Sequence, residues 1–403
     1  MTTTARAWVD EDDDIPLESS SRVPPAGLPS LQPQWIDKAL EQSKKKAKRT
    51  LEKVEEEVGG SFDICTTMPL VDTSNAALAP HTLRYTRLPE LTKDYPQQRV
   101  GVFSHRWNPT GTTLATVGPD RLLQLYNITG AVSKHAGEVS LGPFAAYGCR
   151  FFHRGDSLML TGRQSGYVIV DLQTLAVRHV SAVGFQDRDI SVFDCSIDSH
   201  TAAFASRACG VVFLTDTRTL RATGSIRMNE ASSCVQFSNQ NPYSLWVCSG
   251  DQVTLWDLRA AEKLCLAQHR DDGGVRITAF AASGNLHAVG SDVGVVNLYP
   301  NEWDRSASKA LKPLGTALNL VTAVTSLAFN ADTRLLSYAS DAAKNQLRML
   351  HVPSMTTYQN FPRAIQKSLG RVLSLGFSPS SGMATVGTSQ GKVLAYRLAA
   401  YEL

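Results

Sequence analysis

The 403-residue sequence lacks the features that announce a membrane protein, a metalloprotein or a common catalyst. It has no apolar run of about 18 residues, which a membrane-spanning helix needs. Its amino terminus is acidic where a secretory leader carries basic residues before an apolar core, so the chain is expected to be intracellular and soluble. Without a leader, Asn127-Ile128-Thr129 would not meet the glycosylation machinery. The cysteines, Cys65, Cys149, Cys195, Cys209, Cys234, Cys248 and Cys265, never form a Cys-x-x-Cys pair, which removes the usual zinc and redox spacings. Several fall inside apolar runs, and we expect them to act as small buried hydrophobes in a reducing compartment. No histidine pair has the spacing that sets two ligands on one helical face, and no Gly-x-Ser-x-Gly elbow occurs. Gly387-Thr388-Ser389-Gln390-Gly391-Lys392 is one residue too short for a phosphate loop, and it joins strand to strand without the helix amino terminus that holds phosphate. No cofactor, metal or small-molecule substrate is therefore expected.

Neither sign of charge dominates, since 40 basic residues stand against 37 acidic ones. The distribution is uneven: about −4 on residues 1 to 34, about +1 on 35 to 58, about −2 on 59 to 80 and about +8 on 81 to 403. A mildly basic body follows an acidic tail. Residues 1 to 34 combine the run Asp10 to Asp14 with a Ser- and Pro-rich stretch, too poor in apolar side chains to offset its ordering entropy, and are expected to be disordered. Trp8 and Val9, just before the acidic run, are candidate docking residues, because a tryptophan in such a tail suits an anchor role. From Trp35 to Val58, Ile36, Leu40, Ala47, Leu51, Val54 and Val58 recur at helical spacing between Pro33 and Gly59-Gly60, predicting a short amphipathic helix over 35–60. Its Lys44, Lys45, Lys46, Lys48 and Arg49 form either a solvated face or an import signal. Residues 61 to 80 read as a linker.

A repeat then takes over. Trp107, Phe151, Cys195, Phe237, Phe280, Phe329 and Phe377 each end a short strand, and each is followed by a turn, a second strand, a turn that often holds Asp, and a third strand. The anchors recur about every 42 to 49 residues, the period of one four-stranded propeller blade. The fourth unit runs from Cys234 through Leu245-Trp246-Val247-Cys248 and Gly250-Asp251 to Val253-Thr254-Leu255-Trp256-Asp257-Leu258, which contains the Trp-Asp pair itself. The fold class is therefore all-β, a seven-bladed WD-repeat propeller over residues 81 to 403. The last unit supplies three strands only. An open ring would expose unpaired backbone groups, so residues near Leu83 to Leu88 are expected to close it.

The recurring Asp120, Asp251, Asp292 and Asp341 are assigned to blade turns, where an aspartate can bond its own backbone two residues on. That leaves the surface as the place of function. The longest insertions run from Pro300 to Leu320 and from His351 to Lys367. Each pairs an aromatic with arginine, making Trp303, Arg305, Phe361 and Arg363 candidate partner-docking residues.

Several stretches resemble the U3 small nucleolar RNA-associated protein 18 family: GSDVGVVNLY from Gly290 to Tyr299, NLVTAVTSLAFN from Asn319 to Asn330, and ASDAAKNQLRMLHVPSMTTYQN from Ala339 to Asn360. The closing Gly391 to Leu398 with Tyr401, and Ala7 to Asp12 at the start, also look like that family. The resemblance implies a non-catalytic, nuclear and nucleolar subunit of the small-subunit processome. It further implies a place in the UtpB subcomplex beside other WD-repeat subunits, contact with the U3 ribonucleoprotein and pre-ribosomal RNA, and a role in 18S maturation. In some members a Leu-Phe-x-Val-Asp motif in the tail recruits an exosome-associated RNA helicase. Here the nearest strings are Leu70-Val71-Asp72 and Trp8-Val9-Asp10, and neither supplies the Leu-Phe pair. Two other classes fit the repeats alone: a WD-repeat adaptor such as a ubiquitin-ligase receptor or chromatin subunit, and an enzyme built on a propeller platform.

Overall fold

Seven four-stranded antiparallel sheets follow one another along the chain in a computed structural model, which describes residues 78–88, 101–129, 132–181, 189–196, 198–259, 263–301, 311–362 and 369–401. The chain divides into two units between Thr67 and Met68. The first, together with the candidate tail and helix, lies outside the described residues.

Each blade meanders outward from an inner strand. Blade 1 runs Ser104–Trp107, Thr113–Val117, Leu122–Thr129 and Val132–Ser140, each strand pairing with the next. The inner strands of blades 2 to 7 are Gly148–Phe152, Val192–Cys195, Ser232–Phe237, Ile277–Ser283, Ser326–Phe329 and Val372–Phe377. All seven anchor residues of the repeat therefore lie on inner strands, beside the axis of the ring. The second strands are almost wholly buried, as in Ser244–Ser249, because both faces are covered by neighbouring blades. Such strands read as continuous apolar runs rather than alternating ones.

The apolar side chains form seven clusters, one at each junction between blades. Between blades 2 and 3, for example, Tyr167 stacks on Phe204 at 5.1 Å between ring centres. Between blades 1 and 7, Leu114, Tyr126 and Ile128 pack with Val393. A single blade is too thin to bury both faces of its own sheet, so each seam supplies what the neighbouring sheets lack.

Blade 7 is closed by the strand Tyr85–Arg87, which pairs antiparallel with Val393–Leu398 in the register Tyr85 to Leu398 and Arg87 to Tyr396. Asn360 ties the entering chain down from both sides: its Oδ1 accepts from Leu83 N at 3.1 Å and its Nδ2 donates to Leu83 O at 2.7 Å. Tyr85 meets Phe361 and Tyr396 edge to face at 5.1 and 5.8 Å. The two ends of the ring are thus held by backbone pairing and by an aromatic cluster together.

Two of the sequence's long insertions contain the outer strands of their blades. Gly315–Ala317 completes blade 5 and Thr356–Thr357 completes blade 6. With three and two residues they are too short to leave a periodic pattern in sequence.

Candidate functional site

Polar groups on the inner strands join the blades near the axis. His105 of blade 1 reaches into blade 7, with Nδ1 2.7 Å from Ser374 Oγ and Nε2 2.9 Å from Thr385 Oγ1, and Trp107 Nε1 donates to the same Thr385 oxygen at 3.0 Å. The ring fits because Gly376 and Gly387 face it without side chains; a Cβ on either would stand 3.1 Å from a His105 nitrogen. Burial first, and the Arg106 charge second, pull the His105 pKa down to about 3, so it is neutral at physiological pH. Asp194 of blade 3 links three blades: it accepts from Arg150 Nε of blade 2 at 2.5 Å and from Phe237 N of blade 4 at 2.8 Å. Gln236 and Ala282 exchange a reciprocal pair of bonds, both 2.9 Å, between blades 4 and 5.

A histidine pair lies at the outer part of that same junction. His269 and His287 approach with Nε2 atoms 2.9 Å apart, and His287 Nδ1 lies 2.9 Å from Asn301 Oδ1. An amide oxygen and a backbone carbonyl only accept, so Nδ1 carries the proton in both rings, in His287 toward Asn301 and in His269 toward Arg270 O at 3.2 Å. Burial lowers the two pKa values to about 4 and about 3. Among the described residues no group of three or more His, Cys, Asp or Glu side chains is placed to hold a metal ion.

The axial channel widens on the face formed by the loops between first and second strands into a cavity of about 580 Å³. Inner-strand residues of all seven blades line it, among them Arg106, Arg150, Asp194, Phe280, Phe329 and Phe377. The opposite mouth is smaller, about 260 Å³, and again includes Arg106 and Arg150. A separate groove beside the outer strand of blade 6 is lined by His81, Arg348, Thr357, Tyr358 and Phe361. Nearby chain around the outer strand of blade 5 exposes Leu314, Leu318 and Val321, the last 88% accessible.

The candidate docking residues fare differently. Trp8, Val9, Trp303, Arg305 and Arg363 lie outside the described residues, as do Leu70, Val71 and Asp72 and the lysine cluster from Lys44 to Arg49. Phe361 is only 2% exposed and belongs to the seam between blades 6 and 7, so its aromatic ring is a core group of the fold and is not displayed to a partner. Sequence reading took it for a loop residue because the Asn360 and Tyr85 contacts that bury it come from a segment 275 or more positions away.

Asp120, Asp251, Asp292 and Asp341 do occupy turns between second and third strands. Bonds of an aspartate to the backbone two residues on are also made at the next turn, between third and fourth strands. There Asp171 accepts from Gln173 N at 3.0 Å, Asp216 from Arg218 N at 2.9 Å and Asp257 from Arg259 N at 3.0 Å. These bonds hold all three carboxyls below the ordinary aspartate range; at Asp257 the Arg259 side chain contributes most. At Asp120 burial acts the other way and raises it. The signal was present as Asp-Leu-Gln-Thr, Asp-Thr-Arg-Thr and Asp-Leu-Arg closing successive third strands. The Gly387 to Lys392 loop is such a strand-to-strand turn, closed by Gly391 N donating to Thr388 O at 3.2 Å.

No protein-family model matches the chain. Curated proteins do. Over 349 residues, or 85% of the chain, it is 29% identical to "U3 small nucleolar RNA-associated protein 18 homolog" of Arabidopsis thaliana, covering 63% of that protein. It is 30% identical over 305 residues to the protein of the same name from Homo sapiens, covering 74% of the chain and 54% of the relative. In Saccharomyces cerevisiae, "U3 small nucleolar RNA-associated protein 18" is 35% identical over 149 residues, 33% of the chain and 25% of the relative. The chain is a homologue of these proteins. The chain spans 54 to 63% of the length of the first two relatives.

Proposed function

We infer that the chain is a non-catalytic scaffold subunit of the small-subunit processome, acting in nucleolar processing of pre-ribosomal RNA and maturation of 18S RNA. The observation that carries this reading is the run of homologues from several eukaryotic kingdoms whose names place them with the U3 small nucleolar RNA. Its partners on this reading are the other WD-repeat subunits of a UtpB-type subcomplex, the U3 ribonucleoprotein and pre-ribosomal RNA. The architecture supports it. A ring whose buried polar groups join blade to blade stays rigid while its two faces and its outer edges remain open to several partners at once. The histidines with the strongest burial are engaged between blades, which is the work of a scaffold.

The reading is tested by affinity purification of the tagged full chain from growing cells at low salt, followed by hybridisation for U3 and pre-ribosomal RNA. Enrichment of both is expected, together with WD-repeat proteins of a UtpB-type subcomplex and nucleolar fluorescence of the tagged chain. Purification without either RNA, or exclusion from the nucleolus, would count for an adaptor of another complex.

A further inference from the structure

The walls of the wider cavity differ in chemistry. Blades 1 and 2 present Arg106 and Arg150, and blades 5, 6 and 7 present Phe280, Phe329 and Phe377, each partly exposed. The two arginines are also in different states. Arg150 is engaged through Nε to Asp194 and through Nη1 to Cys149 O at 3.0 Å. Arg106 makes no hydrogen bond or ion pair with any described residue, and its Nε is buried without a partner. Burial and the neighbouring Arg150 bring its pKa down to about 10, which still leaves a cation at neutral pH. A guanidinium with a buried, unused Nε donor is costly, and an anion that reaches it along the channel recovers charge-assisted bonds.

We propose that the axial cavity is a peptide-binding site in which Arg106 takes a single Asp or Glu carboxylate of a partner chain, while Phe280, Phe329 and Phe377 hold the apolar flank of that residue. At about 580 Å³ the cavity has the size of a small-ligand pocket. A peptide is favoured over nucleic acid by the lining. Arg106 and Arg150 are its only cations, and Asp194 and Asp198 lie along the same wall. A nucleic acid strand brings a phosphate with every nucleotide and is held by many cations, whereas this lining has one guanidinium uncommitted. Arg106 reaches both mouths of the channel, so the carboxylate would sit at its narrowest part.

The test is selection of a phage-displayed random heptapeptide library on the full chain. Enriched peptides should share one acidic residue beside apolar ones. Synthetic copies of them should bind at least tenfold more weakly when that residue is replaced by its amide or when the protein carries Arg106→Gln, and equally well when it carries Arg259→Gln on the outer surface. In the absence of peptide, Arg106→Met should leave the melting temperature unchanged or higher. The proposal is overturned by enrichment of peptides without an acid, by binding that ignores Arg106→Gln, or by a labelled oligouridylate that binds the wild type and is lost in Arg106→Gln. A lower melting temperature for Arg106→Met would overturn it too, by assigning Arg106 to the fold. None of these results depends on recovery of U3 RNA from cells.

Discussion

Among single residues, the ones with most influence on this ring are polar and lie between blades. Asp194 satisfies a guanidinium of one neighbour and a backbone N–H of the other, so Asp194→Ala removes both bonds and leaves two donors without an acceptor. A loss of about 2 to 4 kcal/mol is expected, measured by chemical denaturation. Gly387→Ala should also destabilise, because the added Cβ would collide with Ser374 Oγ and displace the His105 bond. The buried histidines set a pH dependence whose sign follows from linkage. His105, His269 and His287 have native pKa values near 3, 4 and 3 against 6.5 in the unfolded chain, so below pH 6.5 the unfolded state binds more protons. Stability is complete above pH 6.5 and falls with acid until the native pKa values are passed, by at most about 1.4 kcal/mol per pH unit for each histidine. Denaturation at pH 7 and pH 5 should show this loss, and His287→Gln should reduce it. A stability independent of pH between those values would contradict the neutral assignments.

For the strands, the closing element Tyr85–Arg87 is the critical one. It is three residues long and makes one edge of blade 7, yet it joins the two ends of the propeller. Deleting residues 81 to 90 removes the pairing with Val393–Leu398, the Asn360 bonds and the Tyr85 ring contacts together, and the melting temperature should fall by several degrees. An unchanged value by differential scanning calorimetry would mean that the ring does not depend on this strand. Phe361→Ala acts on the same seam, with an expected cost of about 3 to 5 kcal/mol. Its effect should appear in denaturation, and partner binding should change only as far as folding does. The outer strands of blades 5 and 6 are the opposite case: three and two residues long, with exposed Leu314, Leu318 and Val321 beside the first, they add little pairing.

In the whole molecule, stability resides in seven seams of similar construction, so no blade is expected to melt alone. Thermal unfolding of residues 68 to 403 should be one cooperative transition, and a seam mutation such as Tyr126→Ala should shift that transition without splitting it. Two resolved transitions in calorimetry would mean that the seams are energetically independent. Much of this architecture was legible beforehand, because Trp107, Phe151, Cys195, Phe237, Phe280, Phe329 and Phe377 recur at the blade period and all fall on inner strands. The number of blades and the closure near Leu83 to Leu88 followed from that recurrence and from the three strands of the last unit. The site was less legible. Arg106 and Arg150 sit in strands with no motif around them, and what sets them apart, one engaged and one not, is a matter of Asp194 in another blade.

The division between the two sources of information has a physical basis. Blade count, strand order and the likeness to the U3-associated proteins are properties of local pattern, since a strand needs only its own alternation and its own turns to be recognised. Which polar group meets which, where Phe361 goes, and which arginine is left facing the channel depend on residues tens to hundreds of positions apart, brought together when the ring closes. Those contacts are set by packing in three dimensions, and the tertiary structure alone decided them.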